Sequence, residues 1–235
     1  MQPISARAVA FDKDGTLIDF QATWGPAMVL VLTELSRGNT RVLRAAADRL
    51  LVDLATSTIA WNSPIVAEST AEVAMRVAAD FGRVDASELA QEMDLLTRRF
   101  ATDSVVAVPV VAETLASVQG MGLTLGVVTN DAEATARAQL DRLGLTPFFA
   151  SVMGYDSGHG AKPGPGMVVA TGRMLGCPVE SLVVVGDTST DISAAVAAGA
   201  RSVLIDPNQL YDTQADVVID SLNDLPRVIR ASIAP

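Results

Sequence analysis

The stretch RAVAFDKDGTL at residues 7–17 joins a short apolar run to a pair of carboxylates. The apolar run ends at Phe11 and is followed by Asp12, Asp14 and Gly15. Continuous apolar runs that end in turn residues are typical of parallel strands buried on both faces, and glycine permits the turn that follows. We therefore predict a buried strand over residues 7–11, with both carboxylates in the loop at its carboxyl end.

Runs rich in Val, Leu and Ile recur along the rest of the chain and alternate with helical segments. Strands are predicted at residues 123–129, 148–152, 182–186, 201–205 and 217–219, and helices at 110–120, 132–143, 165–175 and 191–198. Gly176 and Gly199 follow two of these helices, at the place where a glycine commonly ends a helix. The alternation predicts an α/β fold, a doubly wound parallel sheet with a Rossmann-like core, whose ligands bind at the carboxyl ends of the strands.

The interval between the first two predicted strands is too long for a single connection. Gly15 and Leu123 are 108 positions apart, whereas a whole βαβ unit needs about 30 residues. Apolar stripes at helical spacing cover residues 24–35 and 42–54. Ser69 with Glu72 and Asp85 with Glu88 are patterns typical of helix starts, and they predict two further helices. We predict an inserted four-helix cap domain at residues 20–102, set into an α/β catalytic core formed by residues 1–19 and 103–235.

Composition and charge exclude several classes of protein. Although 49% of the 235 residues are apolar, no stretch approaches the roughly 18 uninterrupted apolar residues of a membrane span. A net charge of −10 argues against a nucleic-acid partner, which requires a basic surface. The single cysteine, Cys177, cannot form an internal disulfide, and the first apolar run is too short for a signal peptide. We expect a cytoplasmic monomer or homodimer without a nucleic-acid or membrane partner.

Three further polar motifs stand at the predicted carboxyl ends of strands or just before helices. Thr129 and Asn130 end the second strand of the core, Lys162 precedes a helix, and Asp187 and Asp191 follow another buried strand. The hydroxyl and the amide are donors for phosphate oxygens, and a lysine offsets charge on a phosphoryl group. Taken singly, each motif has a structural explanation as a turn, a helix cap or a surface lysine. Their ordered coincidence favours catalysis.

The carboxylates of these motifs predict a metal and a covalent step. Three carboxylates near one cleft suit a hard divalent cation, and Mg²⁺ usually binds one or two carboxylates together with the phosphate of a substrate. A carboxylate nucleophile divides a slow hydrolysis into two steps through an aspartyl-phosphate. A second carboxylate protonates the leaving oxygen and later deprotonates water. These groups are therefore suited to phosphoryl transfer assisted by Mg²⁺.

In this order and at this spacing, the four motifs resemble those of the haloacid dehalogenase-like hydrolase superfamily, and in particular its phosphoglycolate phosphatase-like branch. Lys162 lies 32 positions after Asn130, and Asp187 lies 25 positions after Lys162, as in that branch. A helical insertion after the first motif, with no room for another between Asn130 and Lys162, is also similar. The resemblance spans the predicted core, whereas the insertion matches only in position and helical character.

The resemblance implies roles for the first motif. Asp12 would be the nucleophile and a metal ligand. Asp14 would be the general acid and base and would lend its backbone carbonyl to the metal. Gly15 would support both by permitting the turn.

The resemblance also implies roles for the other three motifs. Thr129 and the backbone of Asn130 would bind the phosphate, and Lys162 would neutralise the nucleophile and the phosphate. Asp187 would complete the Mg²⁺ shell, with Asp191 in support. The expected substrate is a small phosphorylated metabolite such as phosphoglycolate, although other small phosphates, nucleotides and pyrophosphate remain open.

Three alternative functions are weighed against the phosphatase. A sugar-phosphate mutase would use the same motifs and is distinguished only by its product. A true haloacid dehalogenase needs neither a metal nor a second acid, so Asp14 argues against it. A phospho-accepting receiver-like signalling module is compact and uncapped, so the insertion of roughly 80 residues argues against that class.

Several single residues are left with two interpretations or with a packing role. Trp61, in a predicted loop, either lines the substrate pocket or packs, and His159, the only histidine, either approaches the site or has no chemical role. Trp24 is expected to pack within the cap and Cys177 to be a small buried residue. Phe20 stands where many relatives carry a small polar residue.

Overall fold

The computed structural model describes residues 6–211 and 214–233. Within the described residues 6–103, the chain forms one strand, five helices and a two-stranded ribbon. These are β1 (Ala8–Phe11), α1 (Phe20–Ser36), α2 (Thr40–Arg49), β2 (Val52–Asp53), β3 (Thr58–Ile59), α3 (Pro64–Ala67), α4 (Thr70–Val77) and α5 (Ala86–Asp103).

From residue 111 onward, strands and helices alternate, as the sequence predicts. The elements are α6 (Val111–Gln119), β4 (Thr124–Val128), α7 (Glu133–Arg142), β5 (Phe149–Met153), α8 (Gly166–Met174), β6 (Leu182–Gly186), α9 (Ser189–Ala198), β7 (Arg201–Ile205), β8 (Val217–Ile219) and α10 (Leu225–Ile233). Each predicted strand and helix of this part is present, and no bound differs from the predicted one by more than two residues.

The described strands outside the ribbon form one parallel sheet in the order β5-β4-β1-β6-β7-β8. If these six strands are numbered by their order along the chain, their order across the sheet is 3-2-1-4-5-6. The chain thus adds strands on one side of β1 first and on the other side from β6 onward. Phe11 at the end of β1 pairs with Val127 of β4 and with Val185 of β6. Because a ligand crevice forms where the strand order reverses, the loops that follow β1, β4 and β6 are placed together at one edge.

Both faces of the sheet are buried, as a doubly wound fold requires. Side chains of β1 alternate between two apolar clusters, with Val9 and Phe11 in one and Ala8 and Ala10 in the other. All four residues are fully buried. The alternation follows from the period of two in a strand, and it confirms the predicted α/β fold with a Rossmann-like core.

The helices between β1 and α6, here called the helical module (residues 20–103), have an apolar cluster of their own, which includes Met28, Leu32, Leu50 and Leu89. The predicted four helices are present as α1, α2, α4 and α5, and the prediction lacked the short α3 and the ribbon of β2 and β3. The second helix ends at Arg49 rather than near residue 54. Leu51, which follows, adopts a left-handed backbone conformation with φ of 55° and directs the chain into the ribbon.

The chain leaves the sheet and returns to it through a short paired segment, here called the stem (residues 17–19 and 106–108). The amide of Asp19 donates to the carbonyl of Val106 over 2.8 Å, and the amide of Val108 donates to the carbonyl of Leu17 over 3.0 Å. The side chain of Asp19 also caps α1 by accepting a hydrogen bond from the amide of Ala22. Both ends of the helical module are therefore fixed at one place beside β1.

In the part of the chain that the structure describes, no helix combines the length and the apolar character needed to cross a membrane.

Candidate active site

The loop after β1 places Asp12 at the floor of a cleft. The amide of Asp12 continues the pairing with β6 by donating to the carbonyl of Val185 over 2.7 Å, and the side chain of Asp12 is nearly buried. Gly15 then turns the chain with a φ of 87°, which favours glycine. A Cβ atom at this position would lie 2.0 Å from Oδ2 of Asp187. Both the backbone conformation and the neighbouring carboxylate therefore require glycine here.

Lys162 joins three of the elements that end at the cleft. Its Nζ donates to Oδ1 of Asp12 over 2.6 Å, to Oδ1 of Asp191 over 2.5 Å and to the carbonyl of Val128 over 3.0 Å. Burial alone would lower the pKa of the Lys162 ammonium, but the adjacent carboxylates of Asp12 and Asp191 outweigh burial and raise it above its ordinary value. Lys162 therefore stays protonated and neutralises part of the negative charge around it.

Asp12, Asp187 and Asp191 form a compact group of carboxylates. One oxygen of each lies within 4.8 Å of the others. Burial raises the pKa of Asp12 to about 7, although Lys162 opposes this shift, and burial together with the negative charges of Asp12 and Asp191 raises the pKa of Asp187 well above its usual range. A bound cation would stabilise these negative charges, which lie close together in a buried place. Carboxylate oxygens are ligands that Mg²⁺ prefers. The residues present fit a magnesium ion.

The three carboxylates differ in how many of their oxygens are already engaged. Asp191 has both oxygens in use, because Oδ1 accepts from Lys162 and Oδ2 accepts from the amide and the hydroxyl of Thr188 at the start of α9. Asp12 accepts from Lys162 through Oδ1 alone, and Asp187 accepts from Thr16 through Oδ1 over 3.2 Å. Asp12 and Asp187 are thus better placed to bind a cation than Asp191, which orients Lys162.

The carboxylate of Asp14 accepts hydrogen bonds from two sides. The ammonium of Lys13 contacts both of its oxygens, at 2.8 and 2.6 Å. The indole N–H of Trp24, on α1, donates to its Oδ1 over 2.5 Å. Trp24 packs in the core of the helical module, as expected, but its bond to Asp14 was not predicted. The position of this carboxylate therefore depends on the helical module.

A buried network behind Asp14 was also missed by the sequence analysis, which assigned no role to Lys13. Lys13 is fully buried, and its Nζ lies 3.1 Å from Oδ2 of Asp131 and 2.5 Å from Oε1 of Gln139. Burial would lower the pKa of Lys13, but Asp14 and Asp131 raise it. Burial raises the pKa of Asp131 to about 7 against the opposing effect of Lys13. A basic residue at the end of an apolar strand was the signal that could have indicated this network.

The loop after β4 brings Thr129 and Asn130 to the same cleft. Thr129 is buried, and its Oγ1 accepts from the amide of Asp131 over 3.1 Å. The side chain of Asn130 accepts from the amide of Lys162 over 2.8 Å and donates to the Lys162 carbonyl over 2.9 Å. It also donates to the carbonyl of Ala67 in α3 over 2.8 Å. Asn130 thus fixes the loop of Lys162 and contacts the helical module, while the phosphate-binding roles of Thr129 and Asn130 stay predictions.

A cavity with an empty volume of about 660 Å³, part of it open to solvent, lies between the sheet edge and the helical module. The predicted site residues that line it are Asp12, Asp14, Thr129, Asn130, Lys162 and Asp191. Phe20 lines it from α1. Trp61 does not line it and is 69% exposed, so the interpretation of Trp61 as a pocket residue is wrong. His159 is exposed and also lies outside the lining.

Comparisons with known proteins agree on one family. A family model described as haloacid dehalogenase-like hydrolase matches residues 6–199. The phosphoglycolate phosphatase of Salmonella typhimurium is 31% identical, and that of Escherichia coli K12 is 30% identical. Each of these two alignments covers 93% of this chain and 90% of the relative.

Solved structures share the fold. The HAD phosphatase from Thermococcus onnurineus is similar with a TM-score of 0.68 and 24% identity, over 97% of this chain and all of that one. A predicted phosphoglycolate phosphatase from Haemophilus somnus 129pt is similar with a TM-score of 0.70 and 19% identity, over 95% of this chain and 98% of that one. The L-2-haloacid dehalogenase from Xanthobacter autotrophicus is similar with a TM-score of 0.62 and 20% identity, over 96% of this chain and 98% of that one.

Proposed function

Because the chain belongs to the haloacid dehalogenase-like hydrolase family and is a phosphatase of its phosphoglycolate phosphatase-like branch, we propose that it hydrolyses a small phosphorylated metabolite with the help of Mg²⁺ and through an aspartyl-phosphate. The observation that carries the proposal is the position of Lys162, which joins Asp12 to Asp191 while Asp187 lies within reach of both. The cytoplasmic location and the monomeric or homodimeric state expected from the sequence are retained as proposals.

Asp12 is the nucleophile in this proposal. One of its oxygens forms a bond to the phosphorus of the monoester, and the bond between phosphorus and the ester oxygen breaks. Asp14 gives its proton to the departing oxygen, then takes a proton from the water that attacks the aspartyl-phosphate. Inorganic phosphate leaves and Asp12 is restored. Lys162 remains charged throughout and offsets the negative charge near Asp12.

Asp12 and Asp187 would hold the Mg²⁺ ion, with the backbone carbonyl of Asp14 as a further oxygen ligand. When bound, the ion supplies charge stabilisation at the phosphoryl oxygens. We propose two domains, a catalytic core of residues 1–19 and 103–235 and a cap of residues 20–102. Because the cavity lies between them, the cap would exclude bulk water from the reacting groups of the core.

The metal is tested by removing it. We expect EDTA to abolish hydrolysis of p-nitrophenyl phosphate and added Mg²⁺ to restore it, because the uncompensated carboxylates repel a phosphate dianion. Release of inorganic phosphate is the readout. The mutase reaction is tested separately, by analysing the products formed from a sugar phosphate for an isomerised ester. Full activity in EDTA would contradict the proposal and favour metal-free dehalogenase chemistry.

The two carboxylates of the first motif are tested by their different effects on the covalent intermediate. Asp12→Asn should form no phosphoprotein. Asp14→Asn should release a burst of p-nitrophenolate, which leaves without a proton, and then accumulate a hydroxylamine-labile phosphoprotein, because water is no longer activated. With an alkyl phosphate, Asp14→Asn should lose about 10²–10⁴-fold in rate.

Asp141→Asn, on the exposed side of α7, is the matched control and should behave as the parent does. A phosphoprotein in Asp12→Asn, or equal losses on both leaving groups in Asp14→Asn, would overturn the assignment of roles.

A further inference from the structure

The cavity has two chemically different walls. The wall formed by the sheet edge carries the polar residues already described. The wall formed by the helical module is mainly apolar and includes Phe20, Met28, Ile65, Val66, Val73 and Met93. A phosphate held near Asp12 would therefore direct the rest of the substrate toward apolar side chains.

The apolar wall offers no cation to a substrate. The helical module, all of whose residues are described, contributes one charged side chain to the lining, and that side chain is the acidic Glu68. Glu68 is itself engaged, because Nε of Arg76 donates to its Oε2 over 2.6 Å and Nη2 of Arg76 donates to its Oε1. Arg76 does not line the cavity.

The sheet wall has no free cation either. Among the described residues that line the cavity, Lys162 is the only basic one. An ammonium group has three donors, and those of Lys162 are all in use on Asp12, Asp191 and the carbonyl of Val128. A carboxylate on the substrate would thus enter a space lined by carboxylates, without a partner for its charge. Burying an unpaired charge is strongly unfavourable.

The extent of the apolar wall points in the same direction. Six large apolar side chains of the helical module line the cavity, and such side chains predominate in the linings of small-molecule sites. A two-carbon acid phosphate would leave most of the apolar wall without contact. An apolar alcohol part would contact this wall. Transfer of its apolar surface out of water would be the main source of binding free energy there.

We infer that the substrate is a phosphate monoester whose alcohol part is uncharged and mainly apolar, an alkyl or aryl group, and that phosphoglycolate is a poor substrate of this chain. The inference rests on the proposed phosphatase function and narrows its substrate class. It sets this chain apart from the phosphoglycolate phosphatases to which it is similar.

Three matched substrates test the inference on the unmodified protein with Mg²⁺. Ethyl phosphate and phosphoglycolate have the same number of carbons and differ by the carboxylate, and 2-phenylethyl phosphate adds an apolar ring. We expect kcat/KM for 2-phenylethyl phosphate to exceed that for phosphoglycolate by about tenfold or more, with ethyl phosphate between them. A kcat/KM for phosphoglycolate equal to or above the other two would overturn the inference.

Hydrolysis of p-nitrophenyl phosphate separates this failure from failure of the proposed function. If p-nitrophenyl phosphate is hydrolysed and phosphoglycolate is the preferred metabolite, the phosphatase function stands and the substrate class is wrong. If none of the four esters is hydrolysed, the proposed function itself is wrong, and the inference falls with it.

A cation placed on the apolar wall should reverse the preference. Ile65 is half-buried at the cavity, so Ile65→Arg should raise kcat/KM for phosphoglycolate and lower it for 2-phenylethyl phosphate, changing their ratio by about tenfold. Val66→Arg, also half-buried, is a second variant in case the first does not fold. Val84→Arg is the matched control, because Val84 is fully exposed outside the cavity. An unchanged ratio in folded Ile65→Arg and Val66→Arg would contradict the inference.

Discussion

At the scale of single residues, the position of Asp14, the proposed general acid, is set by a contact that crosses from the helical module to the core. The indole N–H of Trp24 and the ammonium of Lys13 both bind the carboxylate of Asp14. A carboxylate that receives two donors in a partly buried place is restricted in orientation. The contact with Trp24 exists only while α1 lies against the first motif, so the acid is positioned only when the helical module is in place.

Trp24→Phe removes this donor while keeping most of the packing. We expect the rate for an alkyl phosphate to fall by up to about tenfold, because the acid loses a donor that orients it and a typical hydrogen bond contributes about 0.5–1.5 kcal/mol. The rate for p-nitrophenyl phosphate, whose leaving group needs no proton, should change less. Steady-state kinetics on both esters measure the difference. Trp61→Phe, at an exposed position, is the control, and an equal loss on both esters in Trp24→Phe would mean that Trp24 acts only through packing.

The sequence allowed prediction of those site residues whose signal is local. Asp12, Thr129, Lys162 and Asp187 each follow a strand or precede a helix, and parallel strands bring such positions to one edge. Lys13 was missed because its partners are distant in the chain, with Gln139 lying 126 positions away. No periodicity or turn pattern reports a contact of that kind.

At the scale of secondary-structure elements, α4 depends on the capping box at its start. The hydroxyl of Ser69 accepts from the amide of Glu72, and Oε2 of Glu72 accepts from the amide and the hydroxyl of Ser69. Ser69 is nearly buried between α3 and α4. The cap thus fixes the place where these two helices meet beside the cavity.

Ser69→Ala should lower the free energy of unfolding by about 1 kcal/mol, because the amides at the start of α4 lose their acceptor. Urea denaturation followed by circular dichroism measures the change. Thr33→Ala is the control, since Thr33 is exposed in the interior of α1 and alanine is favourable there. A loss in Thr33→Ala as large as that in Ser69→Ala would contradict a specific capping effect.

A second element, α5, contacts the core through Asp94. The hydroxyl of Tyr155, in the loop after β5, donates to Oδ2 of Asp94 over 2.6 Å. Burial raises the pKa of Asp94 above its ordinary value, although hydrogen bonds from Tyr155 and Thr70 oppose the shift. The folded state therefore binds this proton more tightly than the unfolded state, and stability falls as pH rises above about 4 toward the folded-state pKa.

The amide introduced by Asp94→Asn cannot ionise, so the stability of this variant should lack this dependence on pH. We expect the free energy of unfolding of the variant, relative to that of the parent, to increase as pH is raised from about 4 to about 7. Urea denaturation in EDTA at several pH values gives the difference. Asp141→Asn, at an exposed position, is measured alongside as the control, and a difference for Asp94→Asn that does not vary with pH would contradict the raised pKa.

The elements of the core were easier to predict than those of the helical module. The sheet strands are mainly apolar and several of them, such as β1 and β6, are continuous apolar runs followed by polar turns. The type and the ends of such a strand can be predicted locally. In the helical module, the apolar residues from Val42 to Leu54 have helical spacing. Leu54 nevertheless lies beyond the end of α2, between β2 and β3, and packs against the module's core from there. Apolar spacing indicates which residues are buried, and it does not indicate where a helix stops when the burial continues.

At the scale of the whole molecule, charge opposes the approach of the proposed substrate. The net charge is −10, and five acidic residues line the cavity. A phosphate monoester dianion would therefore be repelled until it reached Lys162 and the proposed metal. Repulsion of this kind is screened by salt, since the Debye length falls from about 30 Å at 0.01 M to about 10 Å at 0.1 M.

We expect kcat/KM for a phosphate monoester to rise by about two- to threefold when KCl is raised from about 10 to about 150 mM at constant Mg²⁺. Tetramethylammonium chloride should have the same effect, because the cause is ionic strength and not a specific cation. A fall in kcat/KM with either salt would mean that the local field of the metal and Lys162 dominates over the net charge.

The stem has a consequence for how the chain finds its fold. Ala8 of β1 and Thr124 of β4 pair although they are 116 positions apart, and closing so long a loop is slow. Once the helical module has formed and its ends are joined at the stem, the loop that remains between these strands spans only about 30 residues, which reduces the entropic free energy of closure by about 1 kcal/mol. Helices form in about a microsecond. The inserted segment, which looks like an obstacle between two neighbouring strands, therefore shortens the search that brings them together.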